Sequence, residues 1–297
     1  MMKKCLCIDV GGTSIKYALI DDMHEISNYG KISTPYEGVE KYIDCLTTIY
    51  HQFSNQVYGI GMSVPGIIDS QNGICITGGN LTYADGLDLV DILQKKCEIP
   101  VTIMNDGKCA ALAEASLGSL SDVKDSIVIV FGTAVGGALI KDGKVHEGGH
   151  FSAGEFSYLA MNDDIDSPDN LWWGVNGIQR LIIKAARIKE KDSSEVNGEL
   201  IFQWIEEGDQ EISQLLDEHT KKIARMIMNL QFIFDPEKIA IGGGISRQTI
   251  FIESIKKNLD YLYKIYPYKT TQAMITNCQF YNEANLVGAY INYTRNS

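Results

Sequence analysis

Asp9-Val10-Gly11-Gly12-Thr13-Ser14-Ile15-Lys16 follows the apolar run Cys5-Leu6-Cys7-Ile8 and leads into Tyr17-Ala18-Leu19-Ile20, so the stretch reads as strand, tight turn, strand. Two adjacent glycines let backbone approach a bulky anion and aim N–H groups at it. Thr13 adds a hydroxyl donor. Asp9, at the strand end, suits a magnesium ion held through water, because Mg²⁺ prefers carboxylate oxygens and keeps much of its hydration shell. Lys16 closes the turn and is a candidate phosphate contact, although surface lysines are common. An ordinary glycine hairpin has the same local pattern, so recurrence along the chain decides between the readings.

The pattern recurs. The β-branched run Ser126–Phe131 enters Gly132-Thr133-Ala134-Val135-Gly136-Gly137 and leaves through Ala138-Leu139-Ile140. A third glycine turn, Gly242-Gly243-Gly244, follows the strand-like Lys238-Ile239-Ala240-Ile241. Between the first two lies Ile103-Met104-Asn105-Asp106, a strand ending in a carboxylate. Two strand–Gly–Thr–strand units, an acidic strand end and a late triple glycine predict an α/β chain with a phosphate-binding cleft between two related halves.

These residues carry a resemblance. The chain resembles the ROK family of sugar kinases, within the actin/hexokinase/Hsp70 ATPase-like superfamily. The matching segments are residues 8–21, Gly59-Ile60-Gly61-Met62-Ser63-Val64-Pro65-Gly66, Gly79-Asn80-Leu81, Asn105-Asp106 with 110–114, 132–137, Ala153-Gly154-Glu155 and 241–246, in the family's order. The resemblance implies two ribonuclease H-like (actin-like ATPase) domains flanking a deep cleft: 1–117 with a returning C-terminal helix over 283–297, and 118–282. It implies ATP-dependent phosphorylation of a hexose hydroxyl, O6 of glucose, a glucose-like sugar or a β-glucoside, with Asp106 as general base. Asn80, Asn105 and Glu155 match positions that hydrogen-bond the hexose, and Ser63 and Gly79 lie in matching segments. Gly11, Gly12, Thr13, Gly132, Thr133 and Gly136 would cradle the phosphates of Mg-ATP, and Gly242, Gly243 and Gly244 would lie near adenosine. Local sequence alone reads Asp106 as a helix N-cap, Asn80 as a turn residue and Glu155 as a helix-terminal carboxylate.

The chain departs from the family after Glu155. Most members continue with a Gly-His step and then a cysteine cluster for structural zinc. Here Phe156-Ser157-Tyr158 follows, and no cysteine lies between Cys109 and Cys278. No zinc is expected. Tyr158 in the histidine's place is expected to relax the anomeric end of the sugar. His150, just before Glu155, is a candidate for lining the site. Trp172-Trp173 is either a sugar platform or core packing.

Composition excludes several classes. Net charge is −12, from 26 basic and 38 acidic residues in 297, against nucleic acid, whose phosphates need Lys and Arg. Asp9 cuts the N-terminal apolar run short of a secretory core, and the 126–140 stretch is too short and glycine-rich to span a bilayer. A cytoplasmic protein is expected, with no membrane partner. The seven cysteines form no CxxC pair and read as buried thiols. A homodimer is implied by the resemblance only. The alternatives kept open are a sugar-binding regulatory protein of weak activity, and N-acetylmannosamine or fructose as acceptor. A DNA-binding repressor fits poorly, because Asp9 begins the phosphate motif with no room for a preceding DNA-binding module.

Helical spacing predicts helices over 39–53, 87–97, 107–117, 175–189, 199–206, 210–234 and 249–263. Residues 163–169 and 189–196 read as polar loops.

Overall fold

The computed structural model describes residues 4–162, 167–266 and 269–296; most of the 163–169 loop reading lies outside the described residues. The chain is α/β. In order it forms β1 (Lys4–Val10), β2 (Ser14–Ile20), β3 (Ile26–Ser33), α1 (Val39–Phe53), β4 (Val57–Val64), β5 (Ile68–Asp69), β6 (Ile74–Cys75), β7 (Leu87–Asp88), α2 (Leu89–Cys97), β8 (Val101–Asn105) and α3 (Asp106–Leu117). Then come β9 (Ser126–Phe131), β10 (Val135–Lys141), β11 (Lys144–His146), α4 (Trp172–Asn176), α5 (Ile178–Ile188), α6 (Gly198–Glu206), α7 (Gln210–Phe234), β12 (Lys238–Gly242), α8 (Thr249–Ile265), β13 (Ile275–Asn277) and α9 (Ala284–Asn296).

Two compact units result. The first holds residues 1–117, 145–153 and 282–297; the second holds 118–144 and 154–281. The sequence reading kept 145–153 with the second domain. In the structure Ser70 Oγ donates to Glu147 Oε1 at 2.8 Å, and Lys108 Nζ donates to the Phe151 carbonyl at 2.5 Å. These polar anchors, which follow the short strand β11, attach the stretch to the first unit, and no hydrophobic periodicity announces them.

The expectation of related halves is visible in the sheets. The first unit's sheet runs β3-β2-β1-β4-β8 and the other runs β11-β10-β9-β12-β13. In each, the strand before the glycine turn pairs antiparallel with the strand after it, and parallel with the next strand inward. Parallel pairing demands cover on both faces, which is why these strands read as continuous apolar runs. In α1, Tyr42, Ile43, Leu46, Ile49 and Tyr50 are buried on one face. Each such side chain stabilises the fold by about 1.5–3 kcal/mol through apolar burial. Helix α9 packs in the first unit, where the glycines of β4 make room: a Cβ on Gly61 would lie 2.5 Å from the Ala289 carbonyl.

Two helix readings shift. The 87–97 helix begins at Leu89, because Asp88 caps it by accepting from the Asp91 N–H at 3.1 Å, leaving Leu87–Asp88 as a short strand. The 175–189 helix is interrupted at Gly177, where a Cβ would lie 2.4 Å from the Thr133 carbonyl. Among the described residues no helix is long and apolar enough to cross a membrane.

Candidate functional site

In the first unit, β1, β4 and β8 are parallel and end together. Asp9 pairs with Ser63, Ser63 with Met104 and Val64 with Asn105. The carboxylates at the ends of β1 and β8 therefore lie at the carboxyl edge of one sheet, the edge where open α/β sheets bind ligands.

Asn105 decides what Asp106 can do. Its Oδ1 accepts from the Lys108 N–H at 3.0 Å, the geometry of an N-cap for α3. Its Nδ2 donates to the Gly66 carbonyl at 2.9 Å and to Asp106 Oδ1 at 3.1 Å. Capping thus falls to Asn105 rather than Asp106. Asp106 Oδ1 accepts the Gly107 N–H at 2.8 Å, and its Oδ2 has no hydrogen bond among the described residues. Burial above all, with the nearby Asp9 charge adding to it, pushes the Asp106 carboxyl up to about 6. A carboxylate poised near neutrality suits proton abstraction.

Asp9 is held on every side. Ser63 Oγ and Asn285 Nδ2 donate to its Oδ1 at 3.0 and 2.9 Å, while Lys16 Nζ lies 3.4 Å from its Oδ2. Cross-strand register explains two of these, because Asp9 stands opposite both Lys16 and Ser63. Ser63, which lies in a family-matching segment, is 0% exposed and donates to Asp9. Lys16 neutralises Asp9. Asn285 was missed: it arrives on α9, 276 residues away, with no local signal. Asp9 Oδ2 keeps unused lone pairs beside a glycine turn, a donor set that fits a hydrated Mg²⁺.

Gly79 and Asn80 are exposed and join this group. A Cβ on Gly12 would lie 3.8 Å from Asn80 Nδ2, so Asn80 flanks the first glycine turn. Gly79 has φ 60° and packs against Pro65 and Gly66.

In the second unit, Gly132, Thr133 and Ala134 are exposed, and a Cβ on Gly132 or Gly136 would meet nothing within 4 Å. The Ile178 N–H donates to the Gly132 carbonyl at 2.9 Å, so α5 begins against this turn. Gly177, which helical spacing reads as an ordinary helix position, is what allows that approach. Gly242, Gly243 and Gly244 end the neighbouring parallel strand. Gly243 has φ 89°, and a Cβ there would lie 2.1 Å from the Phe131 carbonyl. The glycine turn thus closes against β9, beside the Gly132 turn.

Glu155 stands at the N-terminal end of a short 3-10 turn and makes no side-chain capping bond to it. Tyr158 is 66% exposed. His150 is exposed. Trp172 is 0% exposed and packs on Phe131 and Phe156, so it belongs to the core; Trp173 lies under Arg180.

The ROK family model matches residues 5–295. A β-glucoside kinase of Listeria monocytogenes is 28% identical over 296 residues, covering 98% of this chain and 97% of the relative. The structure of a ROK family protein from Streptococcus pneumoniae in complex with sucrose is 28% identical with TM-score 0.88, covering 98% of each chain. A ROK family glucokinase from Streptomyces griseus, solved with glucose and AMPPNP, shares the fold at TM-score 0.82 and 22% identity, covering 97% of this chain and 98% of that one.

Proposed function

The chain belongs to the ROK family as an ATP-dependent sugar kinase, and we propose that it phosphorylates O6 of glucose or of a β-glucoside with Asp106 as general base. The observation that carries the assignment of the base is the division of labour at the end of β8. Asn105 takes the cap and holds one Asp106 oxygen, while the other oxygen is left to accept the proton of the attacking hydroxyl. The alkoxide character that develops on the sugar oxygen attacks the terminal phosphorus of ATP, and ADP leaves. The exposed N–H groups of the glycine turns are suited to hold phosphoryl oxygens. Mg²⁺ held through water by Asp9 would offset charge on the phosphoryl group. Asn80, Gly79 and Glu155 would orient the sugar. Tyr158, standing well exposed, supports an acceptor whose anomeric oxygen carries a substituent, as does the likeness to the Listeria β-glucoside kinase.

The test is ADP release with Mg-ATP over glucose, mannose, fructose, N-acetylmannosamine, N-acetylglucosamine, cellobiose and gentiobiose. Turnover highest on glucose or the disaccharides supports the proposal. A clear preference for N-acetylmannosamine or fructose moves the acceptor class. Sugar binding without turnover leaves a regulatory protein.

Glu155→Ala is expected to raise the sugar KM and lower kcat/KM by about 10²-fold, the scale of a lost polar substrate contact. If steady-state kinetics show neither constant moved, Glu155 is structural.

A further inference from the structure

The loop between β3 and α1 reaches back to the first glycine turn and takes all three of its carbonyls. Thr34 Oγ1 donates to the Gly11 carbonyl at 2.6 Å, and the Thr34 N–H donates to the Thr13 carbonyl at 3.1 Å. The Tyr36 hydroxyl donates to the Gly12 carbonyl between them. The strap is itself anchored: Tyr83 donates its hydroxyl to the Pro35 carbonyl at 2.7 Å, and the Tyr83 ring packs on buried Tyr42 at 5.6 Å between centroids. Among the described residues no hydrogen bond takes the N–H of Gly12 or Thr13.

A glycine-rich turn has two faces. With no Cβ to bias it, a peptide plane can flip and present a carbonyl where an N–H is wanted. An anion-binding turn needs its N–H groups outward and its carbonyls occupied elsewhere. We infer that Thr34 and Tyr36 are positioning residues for phosphoryl transfer: by occupying the Gly11 and Gly12 carbonyls they hold the turn with its N–H groups turned toward the nucleotide phosphates. This inference rests on the kinase reading above. Tyr36 is 60% exposed, so its ring contributes little to the core and its hydroxyl bond is the feature to explain.

The experiment compares wild type with Tyr36→Phe, Thr34→Val and Thr34→Ser. Affinity for Mg-AMPPNP is measured by calorimetry, alongside kcat and the separate KM values for ATP and sugar. Tyr36→Phe and Thr34→Val are each expected to weaken AMPPNP binding and lower kcat/KM for ATP by about tenfold, the scale of one lost hydrogen bond at a ligand-facing turn. The sugar KM stays unchanged, and the Tyr36→Phe thermal midpoint stays within about a degree of wild type. Thr34→Ser keeps the donor and stays within about twofold. Variants that bind AMPPNP like wild type overturn the inference. So does a loss confined to the sugar KM, which would make Tyr36 an acceptor contact. A wild-type chain that neither binds AMPPNP nor turns over any sugar overturns the kinase reading itself, and this inference with it.

Discussion

Asp106→Asn is expected to lower kcat by about 10²- to 10⁴-fold while making the protein more stable at neutral pH. The loss is the scale expected for a positioned general base. The gain follows from the same carboxyl. Its folded value is pushed up to about 6 by burial and by Asp9, whereas an unfolded aspartate titrates near 3.9. Between about pH 4 and 6 the folded state binds more protons than the unfolded state, so wild-type stability falls as pH rises through that window. Above it the whole penalty is present, on the order of 1–3 kcal/mol at this half-buried site. Asparagine keeps an acceptor for the Gly107 N–H and removes the charge facing Asp9. The variant's thermal midpoint should exceed wild type by a few degrees at pH 7–8, with the difference closing below about pH 4. The same value predicts that wild-type kcat/KM rises about tenfold per pH unit below about 6 and then levels. A residue that merely capped α3 would show the reverse, since losing a cap carboxylate destabilises a helix. Wild-type turnover, or a lower midpoint at pH 7, would remove Asp106 from the base role.

What local pattern could reveal is clear from particular residues. The glycine turns, the apolar strands and the long helices α1 and α7 were legible, because each is specified by neighbours in sequence: period, cap and breaker. Asp209 accepts the Ile212 N–H at the start of α7, and Asp235 adopts a left-handed φ of 50° at its end, just before Pro236. What could not be read is pairing across the chain. Ser63 faces Asp9 because of strand register, Asn285 reaches it from α9, and Thr34 and Tyr36 reach the turn across 23 and 24 residues. Gly177 was read as an ordinary helical position, since only the Thr133 carbonyl beside it shows why a side chain is excluded. Motif resemblance placed Asp106 at the site, but its freedom from capping depends on Asn105, which the same resemblance had assigned to the sugar. The Asn105 amide is spent on Gly66, Asp106 and Lys108, so its role in the proposed chemistry is to fix the base.

Gly288→Ala is expected to be among the most damaging single-methyl additions in the first unit, against the sign of helix propensity. Gly288 lies inside α9, where alanine is ordinarily favoured by about 1 kcal/mol. Here a Cβ would stand 1.9 Å from the Cys109 carbonyl and 2.7 Å from its Cα, both backbone atoms of α3. No rotamer can relieve such a contact, so the helices must separate by more than 1 Å. Separation is resisted where α9 meets the sheet: Gly61 of β4 already lies against the Ala289 carbonyl and Gly59 against the Tyr293 ring. Overpacking a site clamped on two sides costs about 3 kcal/mol or more. The thermal midpoint should fall by several degrees. Activity should fall with it, because the same helix delivers Asn285 to Asp9 at 2.9 Å. Asn285→Ala provides the contrast: it removes that one bond and leaves the helix contact intact, for a stability loss of about 1–2 kcal/mol. If Gly288→Ala melts with wild type, or Asn285→Ala proves the more destabilising of the two, α9 is not gripped between α3 and β4 as described, and the route by which the C-terminal helix organises Asp9 fails with it.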